Sequence, residues 1–199
     1  MRKIYPVLWV LFFAFILTSC NKDDVEVYDK QAALEREAPV LSSYITEQGL
    51  SDSAVLHQES GIWYVLEKAG EGDFNYLDST SAEKAQLVNA RILVKYSGKL
   101  LDGTVFEEKA TIDSADLNNQ YFQLGNMIQA WGFTFYPEKI GQYEVGGILP
   151  EGLQKGAKIR IITPSVWAYG YMAKGLIPAN SPLDFEIEVI DIKSPLTAN

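Results

Sequence analysis

Two hydrophobic periods divide the chain. Between Asp23 and Gly61 polar residues dominate, and residues 31–37 (QAALERE) are strong helix formers. Leu34, Ala38, Leu41 and Ile45 step by four, three and four, so they share one face of a helix. Pro39 is expected to interrupt that helix, and Gly49 to stop the stretch that follows. From Gly61 the period shortens to two. Residues 62–66 (IWYVL) read as a strand, ended by Gly70-Glu71-Gly72. Residues 91–97 alternate, with Ile92, Val94 and Tyr96 on one face and Leu93, Lys95 and Ser97 on the other. Asp102-Gly103 predicts a hairpin turn into Val105-Phe106. Residues 121–124 form a short strand and residues 127–131 a helical turn. Residues 133–150 hold three Gly and two Pro and read as irregular loop. In residues 158–163, Ile159 and Ile161 oppose Arg160 and Ile162. A long loop over 170–182 leads to the last strand, 185–192. There Phe185, Ile187 and Val189 point inward and Glu186 and Glu188 outward. Ile190 and Ile192 break that alternation, through a bulge or through cover on both faces.

The β-rich stretch is expected to span 61–193, with residues 194–199 as a tail. Residues 73–89 form a polar loop that looks like an insertion. Residues 20–60 read as a tether and helical prefix, and residues 1–19 as an address. Arg2 and Lys3 precede VLWVLFFAFIL, eleven apolar residues at 7–17. A spanning helix needs about 20 residues, so this run fits the core of a signal peptide. It ends in Leu17-Thr18-Ser19-Cys20, which resembles the lipobox of bacterial lipoproteins, where the cysteine becomes the acylated N-terminus. A plain secretory signal or an uncleaved anchor is the alternative. Each buried methylene contributes about 0.8 kcal/mol, so several acyl chains on Cys20 anchor firmly. Asn21 rather than Asp follows the cysteine, and Lys22-Asp23-Asp24 is similar to export signals of some Gram-negative surface lipoproteins. The expected location is the outer membrane, on its periplasmic face or at the cell surface.

Composition narrows the chemistry. With 47% apolar and 22% charged residues the chain is neither wholly disordered nor fibrous. Its net charge is −9, and loss of Arg2 and Lys3 on cleavage would take it to −11. Such a surface repels phosphate backbones, so no nucleic-acid partner is expected. One Cys and one His exclude a disulfide framework and a Cys/His zinc site. His57 is the one imidazole, and it lies in a polar stretch where exposure to solvent is expected. The function is therefore expected to need no metal, no cofactor and no thiol or imidazole chemistry.

Four segments then line up in order. They are VKYSGKLLDGTVFE at 94–107, FQLGNMIQAW at 122–131, GAKIRIITPSVWAYG at 156–170 and IPANSPLDFEIEV at 177–189. Together they resemble the FKBP-type peptidyl-prolyl cis-trans isomerases, over roughly 61–193. The resemblance implies an α+β fold, a twisted antiparallel sheet of five or six strands wrapped around one short helix, with an apolar pocket between them. It implies proline-containing polypeptides as partners and catalysis of X-Pro rotation in exported proteins. By the same resemblance Tyr96, Phe106, Glu107 and Tyr169 are the catalytic candidates. Met127, Ile128, Trp131, Ile177 and Phe185 are the substrate-binding candidates, with Trp131 as the pocket floor.

Three departures from the family pattern stand out. Glu107 replaces the usual Asp, and Ala130 replaces the usual Gly before the tryptophan. Residues 132–155 are longer than the family's short helix and turn, and are a candidate site for an envelope-protein partner. Glu107 and this insertion favour the alternative of a catalytically weak chaperone or binding module. The Cys20 expectation has a direct check. Labelled palmitate is expected to enter the wild-type chain and to be absent from Cys20→Ala, which should leave the membrane fraction.

Overall fold

The computed structural model describes residues 28–78 and 86–196. Residues 1–19 and Cys20 lie outside the described residues. Among those described, no helix is long and apolar enough to cross a membrane.

Helix α1 (Lys30–Glu47) is unbroken. Asp29 caps it, accepting the Ala32 N–H at 3.1 Å. Pro39 lies inside the helix, which corrects the expected interruption. Proline removes one backbone donor and crowds the carbonyl four residues earlier. Here both Pro39 and Glu35 face solvent, and the packed face carries the helix through. The helix closes at Gly49 as read. Gly49 N–H donates to Thr46 O and Leu50 N–H to Ile45 O, both at 3.0 Å. The buried face is Ala33, Glu37, Leu41, Tyr44 and Ile45. Leu41 and Ile45 keep their expected place, whereas Leu34 is half-buried and Ala38 exposed. The stripe is rotated because two polar residues, Glu37 and Tyr44, are buried by hydrogen bonds rather than by hydrophobicity.

The strands follow as β1 (Val55–His57), β2 (Ile62–Lys68), β3 (Leu77–Asp78), β4 (Gln86–Leu87), β5 (Arg91–Leu100), β6 (Val105–Lys109) and β7 (Phe122–Gln123). Helix α2 (Gln129–Phe135) comes next. After it come β8 (Lys139–Ile140), β9 (Tyr143–Glu144), β10 (Lys158–Thr163) and β11 (Leu183–Lys193). The main sheet runs β1-β2-β10-β11-β5-β6, with β7 paired to β5. All its pairings are antiparallel. This is the α+β architecture expected. The sheet begins ahead of Gly61, since β1 pairs with β2. That placement corrects the exposed reading of His57, which is half-buried with Nδ1 2.8 Å from Ser60 Oγ.

One face of the sheet packs on α2. Ile92, Val94, Ile159, Ile161, Phe185 and Ile187 join Trp131 and Phe135 in this core. The other face is covered in part by α1, where Ile162 and Trp63 meet Leu41, Tyr44 and Ile45. Leu93 is as buried as Ile92 and Val94. The register of β11 on β5 slips between Val189 and Asp191, so Ile190 is the extra residue of a bulge.

Two insertions fold against each other beside α2. In the first, β3 pairs with β4; in the second, β8 pairs with β9. Gln154 joins them, its side chain accepting the Phe74 N–H at 2.8 Å and donating to Phe74 O at 3.1 Å. Tyr76 donates to Leu153 O at 2.6 Å. Helix α2 runs on through Gly132 to Phe135, which corrects the irregular start expected at Phe133. The carbonyls near its C-terminus need partners, and the insertion supplies them. Ile148 N–H donates to Phe133 O at 2.8 Å and Leu153 N–H to Phe135 O at 3.0 Å.

That seam leaves no room at Gly147, where a Cβ would overlap the Tyr136 carbonyl oxygen and lie 2.6 Å from the Pro137 carbonyl carbon. Gly141, at the β8–β9 turn, has φ +60° and open space around it. Gly147→Ala is expected to cost about 3 kcal/mol of stability through overpacking against backbone. Gly141→Ala should cost only about 1 kcal/mol, for the left-handed backbone. Urea unfolding of the two variants checks the contrast.

Candidate active site

Alternation along β5 and β11 puts Tyr96 and Phe185 on the same face of adjacent strands, where Tyr96 pairs across to Ile187 and Phe185 to Gly98. Helix α2 lays Trp131 across them. The Trp131 ring stands edge-on to Tyr96, with centroids 5.2 Å apart at 89°, and to Phe185, at 6.0 Å and 90°. Such T-shaped pairs match positive ring edges to negative ring faces. Phe122 on β7 adds a further edge-on contact to Tyr96, at 6.0 Å and 73°. These rings line an open cavity of about 330 Å³.

The structure brings seven of the sequence-predicted residues into its lining: Tyr96, Glu107, Met127, Ile128, Trp131, Tyr169 and Phe185. Phe106 and Ile177 are not among the lining residues. Phe106 is the extra residue where the β5–β6 register slips. Its ring lies over Gly98, where a Cβ would sit 2.6 Å from it, and edge-on to Phe185 at 5.7 Å. It packs edge-on beside the Phe185 wall. Ile177 is 4% exposed and belongs to the main core.

Four lining residues were not predicted: Phe122, Asn126, Ala168 and Lys174. Phe122 had a signal, since it is opposite Ile92, which shares the Tyr96 face. Reading it required knowing that β7 pairs with β5. Lys174 had none, because it lies in a loop. Its ammonium stands 4.6 Å over the Tyr169 ring and 3.5 Å from the Tyr169 hydroxyl.

Tyr96, Glu107, Asn126, Tyr169 and Lys174 supply the polar groups of the lining. Burial first, and the neighbouring Glu107 carboxylate second, push the Tyr96 phenol well above its ordinary range. Trp131 is 1% exposed, and its indole N–H has no partner among the described residues. An unmet buried donor costs roughly 1–3 kcal/mol, which core packing alone would not favour. Among the described residues no cluster of three His, Cys, Asp or Glu side chains could hold a metal ion. The arrangement can strip water from a flat, compact group and offer it the Tyr169 hydroxyl as a donor.

Fold and cavity thus define an aromatic-walled cup on a sheet packed against a short helix. The family model for the FKBP-type peptidyl-prolyl cis-trans isomerases matches residues 82–190. A probable FKBP-type peptidyl-prolyl cis-trans isomerase from Haemophilus influenzae is 34% identical over 140 residues, 67% of this chain and 44% of that protein. FkpA from Buchnera aphidicola subsp. Schizaphis graminum is 32% identical over 138 residues, 68% of this chain and 42% of that protein. A crystal structure of a peptidyl-prolyl cis-trans isomerase from Pseudomonas syringae superposes with a TM-score of 0.51 at 26% identity, covering 83% of this chain and 97% of that one. The chain belongs to the FKBP-type peptidyl-prolyl cis-trans isomerase family. It spans less than half the length of these two curated relatives.

The Tyr96–Glu107 pair gives a pH signature. A native phenol pKa above the unfolded value of about 10 contributes stability that is complete below pH 10 and is lost as pH rises through the native value. Glu107→Gln removes the charge and leaves the burial. Tyrosine-labelled NMR titration is expected to show Tyr96 ionising at lower pH in Glu107→Gln, still above 10. An unchanged midpoint would mean that the two groups are not coupled.

Proposed function

We propose that this chain accelerates cis-trans rotation about X-Pro bonds, and that its clients are exported proteins met at a membrane to which Cys20 is lipid-anchored. Amide resonance sets the rotation barrier at about 18–20 kcal/mol. X-Pro bonds populate both isomers but exchange over tens to hundreds of seconds. The planar imide is more polar than the twisted transition state, so water favours the planar form. A site walled by Tyr96, Trp131 and Phe185 removes that solvation, and a hydrogen bond made only to the twisted form adds differential binding. Tyr169 is the donor assigned to the substrate carbonyl. Burial and Glu107 keep Tyr96 protonated, and with its single O–H turned to that carboxylate the phenol oxygen is left to accept. An acceleration of ten-thousand-fold needs about 5.5 kcal/mol, within reach of desolvation plus one or two hydrogen bonds.

The observation that carries this reading is the open cavity of about 330 Å³ lined by Phe122, Trp131 and Phe185 together with the phenols of Tyr96 and Tyr169. Its size is at the lower end of the roughly 300–1,000 Å³ usual for ligand pockets. The insertion at 132–155 supports the reading too, because it caps α2 instead of filling the cup. The envelope location rests on the leader pattern at 1–19 and on Cys20.

The test is isomerisation of a short Leu-Pro peptide with the full chain. The wild type is expected to accelerate it, and Tyr169→Phe to lower kcat/KM about five- to tenfold, the loss of one neutral hydrogen bond. A wild-type rate equal to the uncatalysed one, with unfolded protein still bound, would make the chain a binding module instead.

A further inference from the structure

Tyr169 is presented by a turn whose anchor lies outside the segment that the family model matches. The amides on either side of Tyr169 fold back onto one carbonyl. Ala168 N–H donates to Ser165 O at 2.9 Å, and Gly170 N–H donates to the same oxygen at 2.8 Å. Ser165 is fully buried, and its own polar groups go to a residue of α1. Its N–H donates to Glu37 Oε2 at 2.7 Å and its hydroxyl to Glu37 Oε1 at 2.6 Å. Glu37 is only 4% exposed. The neighbouring Trp167 donates its indole N–H to Ser60 O at 2.6 Å, beneath the Lys30 ammonium at 5.3 Å. Tyr28 brings its hydroxyl to 3.4 Å from Ser165 Oγ.

Burying a carboxylate is costly unless its oxygens are used. Packing α1 needs only apolar residues, and Ala33 and Leu41, one turn to either side, already supply that. What a carboxylate adds is two acceptors at fixed spacing, both spent on Ser165. Arg36, 3.5 Å from it, is mostly in solvent and contributes little. The same helix grips the opposite wall of the cavity. Tyr44 donates to Asp184 Oδ2 at 2.8 Å, next to Phe185, and Arg160 holds the same carboxylate at 2.7 and 3.0 Å.

We propose that Glu37 is a positioning residue for the isomerisation. Through Ser165 it fixes the turn that presents Ala168 and Tyr169 to the cavity, so α1 is a working part of the site and not only a tether. This rests on the isomerase function proposed above. Without the clamp the turn samples other arrangements, and substrate must reselect the competent one. Apparent affinity then falls by the competent fraction, while turnover in the filled site is kept.

The experiment uses the full chain with Glu37→Ala, Glu37→Gln and Ser165→Ala. Glutamine keeps an acceptor for the Ser165 N–H and offers an N–H to its hydroxyl, without the charge. Glu37→Ala is expected to raise KM for a Leu-Pro peptide about tenfold, with kcat within about twofold. Glu37→Gln should stay within about twofold on both, and Ser165→Ala, which keeps the backbone contact, should raise KM about threefold. Amide exchange should quicken more than tenfold at residues 165–170 while β5 and β11 keep their protection. An unchanged KM in both alanine variants would overturn the proposal, as would a fall in kcat alone or faster exchange spread evenly over β5 and β11. If the wild type fails to accelerate isomerisation, the proposed activity falls. The clamp is then decided by peptide affinity and by exchange at 165–170, which need no turnover.

Discussion

The antiparallel ladder between β5 and β11 is the constraint on which the rest depends. It is the longest pairing in the sheet, running from Leu183 opposite Leu100 to Lys193 opposite Arg91. Its register keeps Tyr96 and Phe185 on one face, and a slip of one strand by one residue would send its ring away from α2. The bulge at Ile190 lies beyond that pair, so the strand can bend around the core without disturbing them. Trp131 completes the cup only because α2 lies on that face. The second insertion keeps α2 there by taking the carbonyls of Phe133 and Phe135.

Cavity walls and cavity support come from different parts of the chain. The walls belong to the family-matched segment, 82–190. Much of the support comes from outside it, through two buried polar contacts made by α1. Hydrophobic burial holds the helix against the sheet without specifying position to a fraction of an ångström. Hydrogen bonds from Ser165 to Glu37 and from Tyr44 to Asp184 do specify it, because their geometry is narrow and an unmet buried partner is costly.

What could be read from the sequence follows from this division. The change of period near Gly61, the Asp102-Gly103 turn and the disturbance at Ile190 are local patterns, and they were legible. Most of the cavity lining was legible too, because its residues sit in ordered motifs. Pro39 sits inside α1 because its local penalty is outweighed by tertiary packing, which local pattern does not show. The buried face of α1 was rotated because hydrophobic spacing cannot register Glu37 and Tyr44 as inward residues. A bulge, invisible in alternation, turns the Phe106 ring onto Gly98. Phe122 and Lys174 reach the cavity through a strand pairing and a loop path, neither of which leaves a trace in local pattern.

We propose that a water-poor aromatic cup between β5, β11 and α2 lowers the barrier to imide rotation. Two-dimensional exchange NMR on an Xaa-Pro peptide, with substoichiometric full-length chain, tests it most directly. Cis and trans signals should exchange within seconds instead of minutes, with chemical-shift changes in the protein concentrated at Tyr96, Trp131, Tyr169 and Phe185. Exchange at the uncatalysed rate, or acceleration accompanied by shift changes only away from those residues, would contradict it.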